Sequence, residues 1–269
     1  FPRATSSVMP WRMSTRPALP SSDSRASVSE RTGLVMGACL GFLRRVSYGA
    51  LRARSKAAVL ALMLLPGMAA AERVDILALG DSLTQGYGLI EQEGFVPQLR
   101  AWLAERGVDA RVVNAGVSGD TTAGGAARVE WSLDGTIDAM IVALGGNDLL
   151  RGIDPASSRE NLAFILDVAQ QNEIEVLLVG LSAPGNYGPE FKAAFDAMYP
   201  ELAEEYGTLY LESFFAGLME DGALPEDMGE FMQYDGIHPN GKGVARIVEG
   251  MGPHVIELIE RTGVPAFEG

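Results

Sequence analysis

An α/β domain, a three-layer α/β/α sandwich around a central, mostly parallel five-stranded sheet, is predicted by three observations. Five short apolar runs recur between residues 74 and 213, stretches with helical periodicity separate them, and Gly-rich polar segments follow the first three runs.

The runs are "VDILAL" (74–79), "ARVVNA" (110–115), "AMIVAL" (139–144), "EVLLVGL" (175–181) and "TLYLES" (208–213). Most lack polar alternation, which fits parallel strands covered on both faces. A helix is predicted from Ser157 to Asn172, where Leu162, Ile165, Leu166 and Ala169 follow the i, i+3, i+4, i+7 spacing. The last helix repeats this with Val244, Ile247, Val248, Met251, Val255, Leu258 and Ile259, interrupted by Pro253. Ligands of such sheets sit beyond the carboxyl ends of the strands. "GDSLTQGYG", "GVSGDTTAGG" and "GGNDLLRG", after the first three runs, therefore share one rim.

Charge divides the chain. Residues 1–71 hold ten Lys/Arg and two Asp/Glu, a net of +8, whereas residues 72–269 hold eleven and thirty-three, a net of −22. Phosphate backbones and anionic headgroups would repel the acidic body, so nucleic acid and acidic membranes are disfavoured as partners. The single cysteine, Cys39, lies in the basic segment, leaving neither a disulfide nor a cysteine metal site to the body.

Residues 1–71 read as a leader rather than as fold. Residues 1–32 are rich in Ser, Arg and Pro without apolar periodicity. About 52–71 then resemble a signal peptide: basic residues through Lys56, an apolar run from Ala57 to Leu65, the breaker Pro66, and Ala69-Ala70-Ala71 with cleavage after Ala71. The run is too short to span a bilayer comfortably. A periplasmic or secreted domain over 72–269 without a stable membrane anchor is expected, and a monomer.

A serine hydroxyl is a weak nucleophile, so it needs a base, commonly a histidine whose tautomer a carboxylate fixes. Only two histidines exist. His238 lies in "QYDGIHPNGKG", three residues after Asp235 and just before the last helix, so one loop can aim Nδ1–H at the carboxylate and Nε2 at Ser82 of "GDSLT". His254 falls within the apolar helix and reads as a packing or surface residue. An attacked carbonyl also develops negative charge on oxygen, and the N–H groups of Ser82 and Gly116 with the side-chain amide of Asn147 are candidate donors from three strand ends. Asp81 and Asp148 have no histidine at short spacing and read as loop braces.

These blocks resemble the SGNH (GDSL) hydrolase superfamily, most closely its bacterial thioesterase I, lysophospholipase L1 and arylesterase subgroup: "GDSLT", "NAGVSGDTT", "GGNDLLRG", "APGNYG" and "DGIHPN" occur in family order between Val74 and Thr262. The resemblance implies a flavodoxin-like fold and periplasmic location. It implies Ser82 as nucleophile, Asp235 and His238 completing a triad, and Ser82, Gly116 and Asn147 as an oxyanion hole. A small acyl ester or thioester substrate and no metal or cofactor are implied too. Carbohydrate O-deacetylation is the alternative chemistry, and a non-catalytic lipid- or glycan-binding module the alternative class. Residues 182–191 are expected to wall the acyl chain, and residues 214–233 to supply core or cover more than acyl groove.

Overall fold

The computed structural model describes residues 73–265 except 222, 223 and 226. The expected leader and cleavage site lie outside these residues. Strands β1 (Val74–Gly80), β2 (Ala110–Gly116), β3 (Ala139–Ala143), β4 (Glu175–Val179) and β5 (Leu209–Leu211) form one sheet in the order β2-β1-β3-β4-β5. Every neighbouring pair is parallel, with Gly80 opposite both Gly116 and Ala143 at the carboxyl ends. Chain order reverses between β1 and β3, which opens a crevice beyond their carboxyl ends.

Alternation along the strands builds the two outer layers. Val74, Ile76 and Ala78 of β1 pack with one buried cluster, while Leu77 and Leu79 join the other. The first cluster is covered by α2 (Phe95–Ala104) and the C-terminal α7 (Gly241–Thr262). The second is covered by α3 (Thr122–Ser132), α5 (Pro155–Gln171) and α6 (Pro189–Tyr206). The inner strands β1, β3 and β4 are therefore buried on both faces, which explains their missing polar alternation, whereas the edge strand β2 keeps Arg111 and an exposed Asn114.

Two helices depart from expectation. Helix α5 begins at Pro155 rather than Ser157, because Asp154 caps it by accepting the Ala156 N–H at 3.0 Å and Pro155 occupies the first turn. Helix α7 runs unbroken through Pro253. That proline is exposed, so the carbonyl it leaves without an N–H is on the wet side, while Val255, Leu258 and Ile259 stay buried beyond it. Just before it, Gly252 meets Trp102, and a Cβ there would lie 2.5 Å from the indole. Close packing of α7 on α2 thus carries the helix across the proline.

Candidate active site

Ser82 opens a four-residue helix, α1 (Ser82–Gln85), directly after β1. The tight strand-to-helix turn requires Gly80, since a Cβ there would sit 2.0 Å from Thr84 Oγ1. Asp81 caps the helix, its Oδ1 accepting the Leu83 N–H at 3.0 Å. Its other oxygen accepts from Asn147 Nδ2 at 3.3 Å. Asn147 belongs to another short helix, α4 (Gly146–Arg151), which follows β3 on the opposite side of the crevice. Asp148, fully buried, accepts from the Thr122 N–H (2.9 Å), Thr122 Oγ1 (2.5 Å) and Ser158 Oγ (2.9 Å). The two aspartates therefore brace the rim.

His238 comes from the loop before α7. Its Nε2 lies 2.9 Å from Ser82 Oγ and its Nδ1 lies 2.6 Å from Asp235 Oδ2. The loop shapes itself around Asp235, whose Oδ1 accepts the N–H groups of Ile237 (2.9 Å) and His238 (3.0 Å). Gly236 takes a positive φ of 67° in that turn, which a larger side chain resists. The Tyr87 ring packs on the imidazole with centroids 4.8 Å apart.

Two carboxylates here are shifted in opposite directions. The His238 N–H, the His238 ring and the Ile237 N–H hold the Asp235 carboxyl down at about 2. Its depressed value makes its contribution to stability full above the ordinary 3.8 and lost as pH falls towards 2. Burial pushes Asp81 up to about 6, against the hydrogen bonds from Leu83 and Asn147 that favour its charged form. Between 3.8 and about 6 the folded protein keeps a proton that the unfolded chain releases, so Asp81 makes stability fall as pH rises through that window. Asp81→Asn removes this linkage. Its unfolding free energy relative to the parent should therefore improve by up to about 3 kcal/mol from pH 4 to pH 7, read by denaturant titration at both values.

A cavity of about 840 Å³ opens over this cluster. Ser82, Asn147, Gly119 and His238 line one part, and Leu149, Leu181, Phe215, Met219, Leu224 and Ile237 give it an apolar wall. Residues 214–233 thus divide: Phe214 and Leu218 are buried in the core, whereas Phe215, Met219 and Leu224 face the cavity. Of residues 182–191 only Ser182 lines it. Behind Ser182 the segment is tied down by Lys192, which donates to Asp196 Oδ2 (2.6 Å) and the Ala183 carbonyl (2.7 Å). His254 sits half-buried within α7, away from the cavity.

The structure brings Ser82, Asp235, His238 and Asn147 together but corrects Gly116. The Gly116 N–H is donated to Asn114 Oδ1 at 2.9 Å, and the residue does not line the cavity. Its glycine is needed for packing instead, since a Cβ would stand 2.3 Å from Gln85 N and block α1 from seating on β2. Gly119, three residues on, lines the cavity in its place, and its N–H has no acceptor among the described residues. It takes φ = 80° in the turn closed by Asp120 N–H to the Val117 carbonyl (3.1 Å). The one signal was glycine at the third place of "VSGD", which permits a type II turn without requiring it. Tyr87 against His238 had no comparable signal.

Fold and site together define an α/β serine hydrolase of the ester-cleaving class. The model of the GDSL-like Lipase/Acylhydrolase family matches residues 78–246, and the chain belongs to that family. It is similar to Esterase TesA of Pseudomonas aeruginosa, 39% identical over 210 residues that span 78% of this chain and 100% of that protein. It is also similar to Thioesterase 1/protease 1/lysophospholipase L1 of Escherichia coli strain K12, 36% identical over 186 residues, 68% of this chain and 84% of that one. Among solved structures, AlinE4, described as an SGNH-hydrolase family esterase, shares 41% identity at a TM-score of 0.57, covering 69% of this chain and 96% of its own.

Proposed function

We propose that this protein hydrolyses small acyl esters and thioesters through an acyl-enzyme on Ser82. The observation that carries the reading is the unbroken line from Ser82 Oγ to His238 Nε2 (2.9 Å) and from Nδ1 to Asp235 Oδ2 (2.6 Å) at the floor of an apolar-walled cavity. Ser82 Oγ attacks the acyl carbonyl while Nε2 takes its proton, and Asp235 accepts the Nδ1–H and stabilises the imidazolium. Charge developing on the carbonyl oxygen is received by the N–H groups of Ser82 and Gly119 and the Asn147 amide. Collapse expels the alcohol or thiol, protonated by His238. Water deprotonated by the same nitrogen then releases the acid.

Asn147 suits its role because Asp81 holds one of its two amide hydrogens, which orients the other. Asn147→Ala should lower kcat on p-nitrophenyl acetate by about 10²–10³-fold. The loss should fall on kcat with KM nearly unchanged, because the charge exists only in the transition state. Equal kcat values would remove Asn147 from the oxyanion site.

The apolar wall favours an acyl chain over an acetylated sugar. Turnover across p-nitrophenyl acyl esters, an acyl-CoA, a lysophospholipid and an acetylated xylo-oligosaccharide tests this choice, and preference for the sugar would reverse it. Export to the periplasm or medium as a monomer, after loss of the leader, is part of the proposal. The leader's residue pattern supports export; among the described residues no helix is long and apolar enough to cross a membrane.

A further inference from the structure

The geometry points to Arg151 as the residue that positions the Gly119 N–H, an inference resting on the esterase reading above. Arg151 closes α4, four residues after Asn147. It is exposed in a body rich in carboxylates. Nevertheless, among the described residues, it joins none of the ion pairs that engage Arg128, Arg159 and Lys192 on neighbouring elements. Its guanidinium instead donates to the backbone carbonyl of Gly119 at 2.8 Å.

That carbonyl belongs to a turn with two accessible states. Val117 to Asp120 form a β-turn with Gly119 third at φ = 80°, and Ser118 is not among the residues with positive φ, so the turn is type II. Type II converts to type I when the central peptide reverses and φ at the third position becomes about −90°. The central peptide carries the Ser118 carbonyl and the Gly119 N–H. Reversal would therefore replace a donor with a carbonyl dipole at the position where negative charge develops.

Glycine adopts both signs of φ with similar ease, so residue 119 does not select the state by itself. A Cβ there would meet only the Arg151 guanidinium, at 3.7 Å, leaving crowding equally unable to select it. Selection falls to the clamps on either side of the peptide. Ser118 Oγ donates to Gln85 Oε1 on α1, and Arg151 holds the Gly119 carbonyl from α4. Arg151 thereby ties the Gly119 donor to the helix that carries Asn147, fixing two arms of the oxyanion site relative to each other.

The test compares Arg151→Met, Arg151→Lys, Gly119→Ala and the Arg151→Met/Gly119→Ala double variant on p-nitrophenyl butyrate, with thermal unfolding of each. Arg151→Met should lose about 10- to 100-fold in kcat with KM within about twofold and an unchanged melting transition. Arg151→Lys, which keeps a charged donor, should recover most of the loss. Gly119→Ala, disfavoured at positive φ, should lose at least as much, and the double variant no more than Gly119→Ala alone. Wild-type kcat in Arg151→Met overturns the inference, as do multiplying losses in the double variant. A raised KM at constant kcat overturns it too, since Arg151 would then contact substrate. An inactive wild-type protein would instead refute the esterase reading beneath it.

Discussion

Ser82→Ala should reduce kcat on a p-nitrophenyl ester by on the order of 10⁶-fold while the protein folds as before. The magnitude follows from losing the nucleophile in a unit whose members act together, so that His238 and Asp235 have nothing left to activate. Folding should survive because the hydroxyl's one hydrogen-bond partner among the described residues is His238 Nε2. The turn is held instead by Gly80, by the Asp81 cap on Leu83 and by the Gln85 N–H to the Asp81 carbonyl at 3.0 Å. Far-UV circular dichroism and a thermal melt matching the wild type, beside the lost turnover, would establish this. Retained turnover would remove Ser82 from the mechanism.

Asp235→Asn should cost about 10⁴-fold in kcat through the tautomer of His238. In the wild type, Oδ1 accepts two backbone N–H groups and Oδ2 accepts Nδ1–H. An asparagine keeps the backbone bonds only by leaving its carbonyl at Oδ1, which turns its NH₂ towards Nδ1. A donor then faces a donor, and the ring responds by carrying its proton on Nε2, where it cannot accept from Ser82. The loop should remain, because the Ile237 and His238 N–H bonds remain. Steady-state kinetics with heteronuclear NMR of the imidazole nitrogens would report both effects, with the proton on Nε2 in the variant and on Nδ1 in the wild type at pH 8. Turnover within about tenfold of wild type would contradict the role given to Asp235.

The layer architecture was legible because both faces of the inner strands β1, β3 and β4 are buried, which writes them as apolar runs, and because α5 and α7 present one apolar stripe each. Their exact ends depended on information outside periodicity. Asp154 moves the start of α5 by capping, and packing of Trp102 on Gly252 overrides the break that Pro253 suggests. Within the site, Ser82 and Asn147 at strand ends and Asp235 and His238 on the loop before α7 could be proposed because each chemistry needs a particular side chain. The backbone donor carried no such mark. Gly116, which ends β2, and Gly119 stand three residues apart, and only the hydrogen bond that the Gly116 N–H donates to Asn114 Oδ1 and the cavity beside Gly119 distinguish them. Asp81 read correctly as a brace, but its contact with Asn147 spans 66 residues and depended on the β1–β3 crevice.

Every step of this mechanism requires Ser82 Oγ to be the reacting atom. Incubating the purified protein with a fluorophosphonate tests it directly, since attack by Ser82 expels fluoride and leaves a phosphonyl group on Oγ. The predicted result by intact mass and peptide mapping is a single adduct on Ser82, absent in Ser82→Ala and slowed in Asp235→Asn. No adduct on the wild type, or one that persists in Ser82→Ala, would contradict it.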